Sequence, residues 1–130
     1  MNEIVISTAE RETMVDITSM VEAAIESSSA EYGMVTVFSK HTTCGLTINE
    51  NADPDVQHDI LLFLGKLVPQ YYEGFRHFEH NSDAHIKTSL MGSNVSVPIE
   101  NGKLVLGRWQ GIYLCEFDGP KTRTVAVRIT

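Results

Sequence analysis

Apolar and polar residues alternate along most of this chain, and two stretches switch to helical spacing. Ile4 to Ser7 predicts a first strand and Met14 to Ile17 a second. A helix is expected from Thr18 or Ser19. There Ser19-Met-Val-Glu22 fits a capping box, and Val21, Ala24 and Ile25 form an apolar stripe. Ser27-Ser-Ser and Gly33 close it. Met34 to Ser39 predicts a strand with Val35 and Val37 on one side and Met34 and Phe38 on the other, hence covered on both faces. Cys44 to Asn49 predicts another, with Cys44, Leu46 and Ile48 inward. Asp53-Pro54 opens a second helix as N-cap and first helical residue, with Val56, Ile60, Phe63, Leu64 and Leu67 on one face. Val68-Pro69 ends it.

Two hairpins follow from turn chemistry. Asn101-Gly102 supplies the positive φ angles of a type I′ turn, which sets Glu100 beside Lys103, Ile99 opposite Leu104 and Val97 opposite Leu106. Asp118-Gly119-Pro120 predicts a second hairpin, pairing Ile112–Phe117 with Thr124–Ile129. Strands outnumber helices and hairpins imply antiparallel pairing. The expected class is α+β: a single domain over 1–130, with a curved or sandwiched antiparallel sheet and two main helices packed on it.

Composition narrows the function. At 130 residues, 42% hydrophobic and 21% charged, the chain can bury a real core. Its net charge of −7 argues against nucleic acid and anionic membranes as partners. No apolar run reaches the roughly 20 residues of a membrane span. The first residues lack the layout of a signal peptide, so a cytoplasmic location is expected. Cys44 and Cys115 have no CxxC spacing and are read as small buried hydrophobes.

Candidate chemistry lies in the histidines. His77, His80 and His85 fall within nine residues in a stretch with little hydrophobic pattern, and His41 ends a strand-like run upstream. Together with His41, His77 and His85 offer three nitrogens to a zinc-like ion and leave a position for water or substrate. The spacing matches no standard zinc motif, so hydrogen-bonded or surface roles remain open for each. His58 is read as a plain helix-surface residue. Asn49, Glu50 and Asp53 sit where a strand hands over to a helix start. Asp53 is a cap on one reading; on the other, these groups border a cleft as polar anchors, with Glu50 as proton acceptor. Glu116 lies in a strand that is otherwise apolar on both faces, so it must be paired, metal-bound or at the rim, with the rim as the cheaper reading; the two-sided apolarity also suggests that one face meets another subunit. Trp109, between Gly107 and Gly111, is read as a core or interface anchor, with close approach of a ligand as the alternative.

At these residues the chain resembles the YjbQ-like family, some of whose members are named secondary thiamine-phosphate synthases. The likeness runs nearly end to end. It rests on His41-Thr-Thr43, Leu46-Thr-Ile-Asn-Glu-Asn-Ala-Asp-Pro54, Ala84-His-Ile-Lys87, Gly107-x-Trp-Gln-Gly-Ile-Tyr113 and Glu116-Phe-Asp-Gly119. The resemblance implies a homotrimer with histidines from the first and middle motifs around a metal. His41, His77 and His85 match the family's histidines; His80 stands where the family has glycine, and Arg108 where threonine is common. The implied activity joins hydroxymethylpyrimidine diphosphate to a thiazole phosphate and releases pyrophosphate. His41, Glu50, His85 and Lys87 are then the candidate catalytic groups, and Asn49, Asp53, Lys87, Trp109 and Gln110 the candidate substrate contacts. Lys87 and Arg108 are candidate phosphate contacts. A diphosphate usually brings Mg²⁺, which prefers oxygen ligands, whereas a histidine triad prefers zinc or a similar ion. The expectation is a metal-dependent enzyme on a small phosphorylated heterocycle. The alternatives are a metal-dependent hydrolase or lyase, with Glu50 or Asp53 as base, and a non-catalytic module that binds a metabolite or metal.

Overall fold

A computed structural model describes residues 2–130. The strands are β1 (Asn2–Ser7), β2 (Thr13–Asp16), β3 (Tyr32–Ser39), β4 (Cys44–Glu50), β5 (Asn94–Glu100), β6 (Lys103–Leu104), β7 (Gln110–Glu116) and β8 (Thr122–Ile129). The helices are α1 (Thr18–Ser28), α2 (Pro54–Leu67) and α3 (Ser82–Met91). The class is α+β, as expected. One sheet has the order β1-β8-β3-β5-β6 and the other β2-β7-β4, with every pairing antiparallel.

The strand alternation decides what lies between the sheets. Ile4, Ile6, Val35, Val37, Val97, Ile99, Val125 and Val127 from the larger sheet meet Cys44, Leu46, Ile112 and Leu114 from the smaller. Val21 and Ile25 of α1 close this core. The other face of the small sheet carries Tyr113, Cys115 and Phe117 under Ala84 of α3, with Leu61, Leu64 and Met91 packed alongside. The two-sided apolar pattern of β7 is therefore absorbed within one chain and needs no second subunit. Cys44 and Cys115 are free and buried, and burial pushes the Cys115 thiol up to about 12.

Several expectations change. The capping box of α1 does not form; the Asp16 carboxylate accepts from Thr18 N (2.9 Å) and Thr18 Oγ1 (2.6 Å) instead. The expected hairpin between β7 and β8 is absent. Each belongs to a different sheet and is flanked on both sides, so the short Asp118–Lys121 link crosses from one sheet to the other. Gly119 fits this crossing because a Cβ there would sit 2.2 Å from Glu10 O. The Asn101-Gly102 hairpin forms as expected, with Ile99 opposite Leu104, but β6 stops there. Val105 N still donates to Pro98 O (2.9 Å), yet Pro98 has no N–H to return the bond, and the ladder ends before Val97 and Leu106.

The outer face of β3 is open in the single chain: Tyr32, Met34 and Phe38 are exposed. The predicted stripe of α2 also divides. Leu64, with Leu61, packs on the small sheet, whereas Phe63 and Leu67 face solvent. Helix α3 escapes the hydrophobic pattern because its buried residues are Asp83, Ala84, Lys87 and Thr88. These have helical spacing but mostly polar side chains.

Candidate functional site

His77 lies in the loop before α3, and His85 lies on α3 itself rather than in a loop. Their rings stand edge to face with centroids 5.5 Å apart. Both line an open cavity of about 520 Å³ with Gly74, Phe75, Arg76 and Ile86. Glu79 Oε2 lies 4.0 Å from His77 Nε2. A second cavity of about 470 Å³ shares Phe75, Arg76, His77 and Ser82 with the first and adds Tyr71, Tyr72 and Phe78.

His41 belongs to another neighbourhood. It sits between β3 and β4, and its Nε2 accepts the backbone N–H of Thr124 in β8 (3.0 Å). That bond requires the neutral ring at Nε2. Burial, then the nearby Arg123 guanidinium, holds its pKa below the ordinary histidine value. Arg123 is itself buried. It donates to the Glu116 carboxylate through Nε (2.9 Å) and Nη2, and to Thr43 Oγ1 (2.8 Å). Thr8 Oγ1 and Asp118 N also donate to Glu116, at 2.7 and 3.1 Å. Glu116 is thus fully buried and paired, not at the rim. Burial alone would raise its pKa, but these hydrogen bonds outweigh burial and hold the carboxyl below its usual range.

Within one chain, His41 and the His77–His85 pair do not form a triad. Among the described residues no group of three or more His, Cys, Asp or Glu side chains is arranged to hold a metal ion. The pair supplies two imidazoles; an open zinc-type site needs a third protein ligand.

Lys87 is the second departure. Its side chain is 1% exposed, and its ammonium donates to Glu12 Oε1 (2.8 Å) and Asp83 Oδ2 (3.0 Å). Arg11 grips the same Asp83 through both terminal nitrogens, at 2.9 and 3.2 Å. Burial works against the Asp83 charge, and the two cations more than offset it, so its pKa falls. The phosphate contact expected of Lys87 has no exposed ammonium to make it. Two carboxylates already hold that charge, and it anchors α3 to the loop after β1.

The remaining candidates gather at the far end of β4. Glu50 pairs with Gln110 and Asn49 with Gly111 in the β4–β7 ladder. From Cys44 to Glu50 an extended strand covers about 20 Å, so Glu50 and His41 lie at opposite ends of the sandwich. Asn49 Oδ1 accepts from Glu50 N (2.7 Å), and Gln110 Oε1 accepts from Gly107 N (2.7 Å). Glu50 contributes its backbone oxygen, which accepts from Gln57 Nε2 and from Tyr113 Oη (3.2 Å). Burial, then the carboxylates of Asp16 and Glu50, raises the Tyr113 phenol. Asp53 Oδ1 accepts from Asp55 N (2.9 Å), the capping role. Trp109 is exposed, with the Arg108 guanidinium 4.8 Å from its ring centre. These groups sit at the β4–β7 end of the ladder that is far from His41.

Sequence reasoning passed over Arg76, Ser82 and the exposed rings of Tyr72 and Phe75. The available signal was the density of aromatic residues around Arg76 in a stretch without strand or helix periodicity.

Fold and site together define a small α+β sandwich that presents a histidine pair beside an aromatic cavity. The family model described as UPF0047 protein YjbQ-like matches residues 2–130. The chain belongs to this YjbQ-like family. It is 48% identical over 124 residues to the UPF0047 protein YugU of Bacillus subtilis, covering 95% of this chain and 94% of that one. A UPF0047 protein of Methanocaldococcus jannaschii is 50% identical, with 95% and 89% covered. The crystal structure of a yjbq/upf0047 family protein from Clostridium acetobutylicum superposes with a TM-score of 0.97 at 52% identity, covering all of both chains. A conserved hypothetical protein of Thermus thermophilus gives 0.94 at 45% identity, also over both full lengths.

Proposed function

We propose that this chain is a metal-dependent enzyme acting on a small phosphorylated heterocycle, with thiamine phosphate formation as the activity to assay first. One observation carries the reading: the His77 and His85 rings, 5.5 Å apart, face one open cavity beside the Arg76 guanidinium. Two neighbouring imidazoles are the start of a zinc-type ligand set. His41 completes the set only if assembly brings it from a neighbouring copy, and the homotrimer proposed for this family provides such copies. A bound cation would neutralise a departing pyrophosphate. The chain's own groups do the rest: Arg76 binds phosphate, and Phe75 and Tyr72 shelter a flat ring from water.

The test starts with protein purified without a histidine tag. Elemental analysis is expected to find a stoichiometric divalent transition ion that His85→Ala loses. Both thiamine precursors are then supplied with Mg²⁺, Mn²⁺ or Zn²⁺. Product above the His85→Ala background supports the reading, whereas metal-free protein without turnover under any ion rejects it.

A further inference from the structure

His41 opens the His41-Thr-Thr43 motif, at the turn where β3 leaves the larger sheet. The β3–β8 ladder ends with Ser39 opposite Val125. Just past it the imidazole Nε2 accepts the Thr124 N–H at 3.0 Å, standing in for a backbone carbonyl. A neutral imidazole has one N–H and one bare nitrogen. With the Nε2 lone pair turned to Thr124, the proton sits on Nδ1. Burial and the Arg123 guanidinium favour this neutral ring. Among the described residues Nδ1 has no hydrogen-bond partner. The buried side-chain atoms left without one are Asn81 Oδ1 and Thr88 Oγ1, so the Nδ1–H reaches solvent.

A metal-binding histidine is wired the other way. One nitrogen gives its lone pair to the ion, and the other donates its N–H to a carboxylate, a carbonyl or water. In His41 the second nitrogen accepts. An ion at Nδ1 has to displace the only ring proton, and an ion at Nε2 has to break the Thr124 bond. Local charge opposes a cation as well. Arg123 of β8 and Lys40 of the same turn act on the ring, and Lys40 is only loosely paired with Glu3, at 3.8 Å. Glu116 of β7 is already saturated by Arg123, Thr8 and Asp118 N. An anionic oxygen meets opposite charge here, and an N–H to receive it. The Arg123 side chain, 4% exposed, spends Nε and Nη2 on Glu116 and Thr43, and its Nη1 has no partner among the described residues.

We propose that His41 is a fixed Nδ1–H donor to an anionic oxygen, of a phosphate or a carboxylate, and not a metal ligand. This goes beyond the enzymatic reading, in which His41 is at most a conditional third ligand. An ion held by His77 and His85 then takes its third ligand from another residue. Neither idea requires the other, so they fail separately.

Nitrogen-15 NMR on chelator-treated, full-length protein labelled at histidine reads the tautomer directly. The His41 signals, assigned by their loss in His41→Gln, are expected to show a protonated Nδ1 and a bare Nε2. Added Zn²⁺ should leave both unchanged. Inorganic phosphate or acetate should shift the Nδ1–H signal, and the anion that does so identifies the source of the oxygen. His41→Gln keeps an amide oxygen for the Thr124 N–H but has no N–H at the Nδ1 position. It should therefore hold the thermal midpoint that His41→Leu lowers, yet weaken anion binding by about tenfold or more, the usual loss for a hydrogen bond to a charged group. A proton on Nε2, a metal-bound signal from either His41 nitrogen, or an Nδ1–H that ignores both anions overturns the proposal. Protein that binds no ion and shows no turnover rejects the metal-dependent reading and leaves this one standing.

Discussion

At the scale of single residues, charge pairing dominates what can be tested. Glu116 and Arg123 are both buried and satisfy each other across the gap between the sheets. Removing one partner strands the other charge, so Arg123→Met is expected to lower unfolding free energy by about 3–5 kcal/mol in urea titrations. Replacing both with apolar residues should cost less than the single change. The same pairing sets the response to acid. Glu116, Asp83 and Asp118 all have pKa values below their ordinary range in the folded chain. Burial opposes each charge, and hydrogen bonds from Arg123, from Arg11 and Lys87, and from Lys121 and Asn81 outweigh it. The unfolded chain therefore binds these protons first. Their stabilisation is complete above the ordinary carboxylate range near pH 4 and is lost as pH falls through the lower folded values. Urea midpoints should stay level from pH 7 to about 5 and then drop. Glu116→Gln should start lower and fall less steeply.

At the scale of elements, the start of α2 separates two roles for Asp53. Its carboxylate caps the helix, so Asp53→Ala is expected to reduce stability by about 1 kcal/mol and to raise amide exchange in the first turn of α2. If ligand binding at the histidine cavity is unchanged in that variant, Asp53 is a cap alone. Helix α3 behaves differently because it is held by charge more than by apolar packing. Lys87→Met leaves both Asp83 and Glu12 with Arg11 alone. Hydrogen exchange is expected to rise across α3, where His85 sits, more than in the paired strands. Uniform protection in that variant would show that the ion pairs do not hold the helix.

For the molecule as a whole, the uncovered apolar surface is the telling feature. Tyr32, Met34 and Phe38 lie on the outer face of the five-stranded sheet, and Leu62, Phe63 and Leu67 on the outside of α2. Apolar residues concentrated on two elements in this way are the kind of surface that a second copy of the chain would cover. A homotrimer is the assembly expected here, and molar mass from light scattering should be three times that of the chain. Phe38→Glu should shift the mass toward one chain, with the secondary structure intact. If the wild type is monomeric, the completed histidine set fails with it.

The sequence alone determined those features whose cause is local. Asn101-Gly102 dictates its turn because few other pairs accept positive φ at both positions, and Asp53-Pro54 dictates the start of α2 because cap and ring each suit one place. Alternation put Val35 and Val37 of β3 on one face and Met34 and Phe38 on the other, and the hairpin turns implied antiparallel pairing within an α+β fold. Periodicity could not reveal α3, since its buried face is polar and becomes stable only when Arg11 and Glu12 arrive from some seventy residues away. Nor could it tell that β7 and β8 part company, because a short turn favours a hairpin until each strand finds two other partners. Tertiary structure also decided the fate of the candidate residues. It buried Lys87 between carboxylates, set Glu50 and His41 at opposite ends of β4, and left His77 and His85 together. Residue type specifies what a side chain can bind. Which groups meet depends on contacts between distant segments, and those form only when the whole core closes.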